Sequence, residues 1–120
     1  MSHTLKIKVE IKDEQALIAS AQKIGATILG DGSHRLYGGV VNGFGVQLPG
    51  WTYPTVVNLQ TGELSYDNYN GAWGNQGVLD GLIHEYSTEV VAQALSAQGI
   101  SYYRNDAKVD GANQTILCLN

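Results

Sequence analysis

The hydrophobic pattern changes period along the chain, and each change marks an element. Leu5, Ile7, Val9 and Ile11 alternate with Lys6, Lys8, Glu10 and Lys12, which predicts a half-buried strand over 5–11 with a solvated charged face. The period then lengthens to that of a helix, with Leu17, Ile18, Ala21 and Ile24 forming an apolar stripe. Asp13 is placed to cap this helix, Glu14 sits in its first turn where the dipole favours a carboxylate, and Gly25 suits the left-handed stop. Two strands are predicted over 33–41 and 44–48, flanking Asn42-Gly43, the dipeptide with the strongest short-range hairpin signal. Strands over 52–59 and 63–69 follow, joined by a turn at Gln60-Thr61-Gly62-Glu63. A long helix runs from the cap Asn75 to about 98 and closes at Gly99. Its stripe is Leu79, Leu82, Ile83, Tyr86, Val90, Ala94 and Leu95. Strands over 100–104 and 114–119 end the chain, joined through Asp110-Gly111.

Strands that follow one another through short turns argue for an antiparallel sheet. The expected fold is therefore α+β, one domain over 1–120, with two amphipathic helices on one face of the sheet in an elaborated ferredoxin-like layout. A chain of 120 residues is long enough to bury roughly two-thirds of its unfolded surface.

Charge and composition narrow the function classes. The net charge of −4 rests on seven scattered basic residues, and no concentrated basic face can be assembled for duplex nucleic acid or an anionic membrane. No apolar run approaches the roughly 20 residues that span a bilayer. The lone Cys118 cannot form an internal disulfide and lies in an apolar run, so it reads as a small buried hydrophobe in a cytoplasmic protein. Phosphate loops, zinc-ligand spacings and a nucleophile beside an activating base are all missing, and Gly43-Phe44-Gly45 opens a strand instead of a helix. Asp80, His84 and Glu85 share helical spacing but read as a solvated face, too few for a metal site. Neither a cofactor nor a metal is expected, and binding is favoured over catalysis.

Candidate chemistry concentrates in segment 50–74, which holds both tryptophans, Tyr53, Tyr66 and Tyr69, and neither lysine nor arginine. Aromatic rings dominate core energetics, so a core hairpin is the plain reading. A binding reading is that Trp51, Tyr53, Tyr66, Tyr69, Asn70 and Trp73 line a concave site, joined by Arg35 and Tyr37 from the preceding hairpin. Arg35 offers a fork of donors to a carboxylate or phosphate, the rings stack on a planar group, and Asn70 supplies a donor and an acceptor. These residues fit a small anionic, nucleotide-like ligand. The alternative is an interaction module that docks a partner or a second copy through the same aromatics, with a homodimer as the expected small oligomer.

The strings HRLYGG, LPGWTYPTVV and SYDNYNGAWG, together with the Met1-Ser2-His3-Thr4 opening, the charged alternating strand and the Asp13 helix, resemble the hypothetical chloroplast open-reading-frame family numbered thirty-five. That family includes bacterial and bacteriophage proteins and is a domain of unknown function. The resemblance spans nearly the whole chain and lies nearer to the shorter bacterial or phage members. It implies a possible phage origin and transfers no catalytic residue.

Overall fold

A computed structural model describes residues 4–99, 102–109 and 112–119, with side chains described for residues 4–99. The element order is β1 (Leu5–Lys8), α1 (Glu14–Lys23), β2 (Thr27–Leu36), β3 (Gly39–Gln47), β4 (Thr55–Asn58), β5 (Glu63–Tyr66), α2 (Gln76–Ala97), β6 (Tyr102–Val109) and β7 (Ala112–Leu119), with a single 3₁₀ turn at Tyr69–Gly71. Five strands form one sheet in the order β1-β5-β4-β3-β2, every neighbour antiparallel, and β6 and β7 pair as a separate two-stranded sheet. The fold is α+β. A strand-helix-strand unit occurs once in the main sheet, as β1-α1-β2. The second helix leads into the separate hairpin, so the sheet is a four-strand meander with β1 added at its edge.

The two helices cap themselves as their sequences dictate. The Asp13 carboxylate accepts from Ala16 N at 3.1 Å, and Asn75 Oδ1 accepts from Gly77 N at 2.8 Å. Gly25 and Gly99 follow the helix ends with φ of 77° and 72°, values open to glycine at little cost. Both helices pack over the same face of the sheet. Leu17 and Ala21 of α1, with Leu79, Leu82 and Tyr86 of α2, share one cluster with Phe44, Val46, Val57, Leu64 and Tyr66 of the strands. Register explains the strand half: Phe44, Val57 and Leu64 lie side by side, as do Val46, Thr55 and, one strand further, Tyr66.

Tyr86 ties the layers together. Its hydroxyl accepts from both Lys12 N and Asp13 N, at 3.1 and 3.0 Å, holding the start of α1 against the middle of α2. Tyr86→Phe leaves two amides at a helix start without that partner, and an unmet group of this kind costs about 1–3 kcal/mol. Chemical denaturation of the two proteins measures it. A loss under about 0.5 kcal/mol would show that water replaces the hydroxyl.

Three sequence expectations are corrected. The first strand ends at Lys8, short of Ile11, because Val9 N and Ile11 N both donate to Gly62 O at 3.3 Å. Glu10 between them is thrown to a φ of 56°. The strand after the central turn likewise stops at Tyr66, and the strand before it begins only at Thr55. The third correction is the largest. Asn42-Gly43 is no turn but lies inside β3, where Asn42 faces Ser33 and accepts from its hydroxyl at 2.6 Å. The hairpin turns instead at Tyr37-Gly38, so β2 and β3 form a long arm. The expected burial of Cys118 falls outside the described side chains.

That arm curls. Gly30 pairs with Gly45 and Gly32 with Gly43 across its ladder, and the register slips between Ile28 and Gly30. Two facing glycine pairs leave the ladder without side-chain bulk, and the slip adds twist. The His34 ring lies over the gap: a Cβ on Gly45 would sit 2.5 Å from it, and His34 Nε2 donates to Gly30 O at 2.9 Å. The tip is thereby carried back to the far end of the sheet. There Gly38 N and the Thr4 hydroxyl donate to one oxygen of Asp67, at 3.2 and 3.3 Å. The arm covers the face opposite the helices, and Leu36 and Val56 are fully buried outside the main cluster.

Candidate functional site: an aromatic platform at the arm tip

The predicted aromatic residues separate into two groups. Trp51 and Tyr66 belong to the core, 5% and 8% exposed, with ring centroids 6.1 Å apart in an edge-to-face pair. The Trp51 indole N–H donates to Asn75 O at 3.2 Å, and Gly74 lies flat against its ring. These two position the start of α2 and are closed to a ligand.

Tyr37, Tyr53, Tyr69 and Trp73 converge elsewhere, at the surface. Trp73 is the hub, with centroids 5.0 Å from Tyr37, 5.4 Å from Tyr53 and 4.8 Å from Tyr69, the last pair stacked at an interplanar angle of 23°. Tyr37 and Tyr53 meet edge to face at 6.4 Å. Three sequence segments are therefore joined: the arm tip, the entry to β4, and the loop before α2. The backbone reinforces the union, since Thr52 N donates to Trp73 O at 2.7 Å and Trp73 N donates to Asn68 O at 2.9 Å. Below them Asn68 is buried and donates through its side-chain amide to Gln76 Oε1 at 3.0 Å.

The platform faces outward. Tyr37 is 53% exposed and Tyr69 47%, while Tyr53 and Trp73 are half-buried beneath them. Tyr69 and Asn70 both take left-handed backbone, with φ of 46° and 52°. Asparagine tolerates this conformation, but an aromatic residue there is uncommon and costs of the order of 1–3 kcal/mol. The strained geometry delivers the Tyr69 ring onto Trp73.

Arg35 is exposed near the end of β2, two residues before Tyr37, which lies in the turn. No ring contact or ion pair joins it to the platform among the described residues. Asn70 is exposed on the 3₁₀ turn at the platform's margin. Of the eight predicted site residues, four are joined by ring contacts, Asn70 follows Tyr69 on the same turn, Arg35 makes no ring contact with them, and Trp51 and Tyr66 lie in the core.

Compared with protein-family models, curated proteins and solved structures, the chain matches none.

Two residues outside the predicted set matter to the geometry. Asp67 and Gly38 anchor the arm that supplies Tyr37. Nothing local in the run Asp67-Asn68-Tyr69-Asn70 signals that Asp67 is buried or that it accepts from an amide 29 positions away. Among the described residues no group of three or more histidine, cysteine or acidic side chains is arranged to hold a metal, and no helix is long and apolar enough to cross a membrane.

Proposed function

We propose that this chain is a binding protein whose aromatic platform docks another protein surface, a second copy of itself being the partner to test first. One observation carries this reading. The four rings pack on one another, one pair stacked and the others tilted or edge to face, and the cluster still leaves Tyr37 and Tyr69 about half exposed. Tyrosine, tryptophan and arginine dominate the energetics of protein interfaces, and a half-exposed cluster of three tyrosines on one tryptophan, with Arg35 two residues before Tyr37, has that composition. The outer edge of β2 runs beside the platform and is open to pairing, since β2 is the last strand of the sheet.

Sedimentation across a wide concentration range tests this. The wild type is expected to associate reversibly, and Tyr69→Ala and Trp73→Ala to weaken association by at least about tenfold, the effect of removing a hot-spot ring. A particle of 12.9 kDa at every concentration would remove the self-docking reading.

A second reading rests on Arg35 and Tyr37, both exposed and two residues apart at the arm tip. A nucleotide-like anion could place its phosphate on Arg35 and its base on the Tyr37 face, where stacking is worth about 1–3 kcal/mol. Nucleotides that raise the melting temperature of the wild type and not of Arg35→Ala would favour it.

A further inference from the structure

On the sheet face away from the helices, the curled arm and the strands border a half-open hollow of about 140 Å³, lined by Lys6, Val41, Asn42, Val56, Asn58, Glu63 and Ser65. The lining is ordered by register. Lys6, Ser65 and Val56 form one cross-strand row, and Lys8, Glu63 and Asn58 form the next, two residues along on the same face. Val41 and Asn42 come from the arm. We propose that this hollow binds a small free α-amino acid, with Lys6 receiving its carboxylate and Glu63 its ammonium group.

The charges are the first argument. Lys6 and Glu63 occupy diagonal positions on antiparallel neighbours, where Cβ atoms lie roughly 7–8 Å apart. Neither takes part in the ion pairs Lys12–Glu10 and Lys23–Glu89, and Lys8, which faces Glu63 directly across the strands, is in neither. A cation and an anion thus border one small space without neutralising each other, the complement of a zwitterion. Polar groups without partners are the second argument. Ser65 is only 5% exposed, yet its hydroxyl makes no hydrogen bond, and no buried side-chain oxygen or nitrogen is left unsatisfied among the described residues. Its oxygen therefore reaches the hollow. The amide oxygen of Asn42 is taken by Ser33, and that of Asn58 by Gln60 N and Thr61 N, so both side-chain NH₂ groups are left to donate. Two amides, a hydroxyl and an ammonium favour the carboxylate end of a ligand.

Size and the apolar lining set the side chain. A cavity of about 150 Å³ accommodates a molecule the size of benzene, and Val56 with Val41 offers a small apolar wall. Alanine, serine and valine fit these limits better than long or aromatic amino acids.

Titration calorimetry of the whole chain with alanine, serine and valine tests the assignment. At least one is expected to bind with a Kd of about 1 mM or tighter. Lys6→Met and Glu63→Gln, both at positions with solvent access and checked for an unchanged melting temperature, should each weaken it by about tenfold or more, as loss of a charge-assisted contact does. N-acetylalanine and alanine amide, each lacking one charge, should bind as weakly to the wild type. Val91→Ala, on the exposed side of α2 and far from the arm, should bind as the wild type does. Absence of binding by all three amino acids, equal binding by either charge variant, or blocked analogues that bind as tightly as alanine would each overturn the proposal.

Discussion

Replacing Leu82 with alanine is expected to lower the free energy of unfolding by about 2–5 kcal/mol, the range for truncating a buried leucine. Leu82 is fully buried where α2 faces both α1 and the sheet, in the cluster that contains Leu17, Leu79 and Leu64. Neighbours on two layers restrict collapse into the space left behind, so the cavity cost adds to the lost transfer free energy. The same substitution at Val91, half a turn of helix or more away in orientation and 49% exposed, should change stability by under about 0.5 kcal/mol. Denaturant titration of both variants reads the difference. Similar values for the two would mean that α2 presents another face to the core.

Gly62→Ala is expected to rival that loss without removing a single apolar atom. Gly62 adopts a φ of 81°, and a Cβ there would lie 2.6 Å from Glu10 Cα and 3.1 Å from Glu10 C. The conformation alone costs an L-residue of the order of 1–3 kcal/mol. The obstacle is backbone, which cannot rotate away, and overpacking of this kind adds about 1–3 kcal/mol. Relief would require Glu10 to retreat and break the paired bonds from Val9 N and Ile11 N to Gly62 O. Gly99→Ala, with a similar φ of 72° but open space around it, isolates the conformational part. Calorimetric unfolding of both variants should show the larger fall in melting temperature for Gly62→Ala. Equal falls would mean that the approach of Glu10 carries no cost.

What the chain disclosed in advance follows the range of the interactions concerned. Asp13 and Asn75 cap within three residues of themselves, so both helix starts were legible. Gly62 was legible as a turn glycine because Asn58 Oδ1 gathers Gln60 N and Thr61 N locally. Asn42-Gly43 was misleading for the opposite reason. Its turn preference is outweighed by a ladder running the length of β2 and β3 and by the hold of Asp67 on Gly38, across 29 positions. The same distant contact explains the site. Tyr37 could be assigned to the aromatics of segment 50–74, but the separation of Tyr53, Tyr69 and Trp73 from Trp51 and Tyr66 depends on where the chain turns after Tyr66. The left-handed backbone of Tyr69 sets that turn, and no residue preference announces a tyrosine there.

The curled arm contributes to two places at once, Tyr37 to the platform and Val41 with Asn42 to the hollow. Whatever requires the arm to lie closed at one place favours closure at the other by the same free energy, since linkage between two bound states is reciprocal. Its size is limited by how differently each occupant treats the open and closed arm. With the tip held by one carboxylate oxygen and a cluster of rings, the arm is the element through which docking outside and occupancy inside would exchange information.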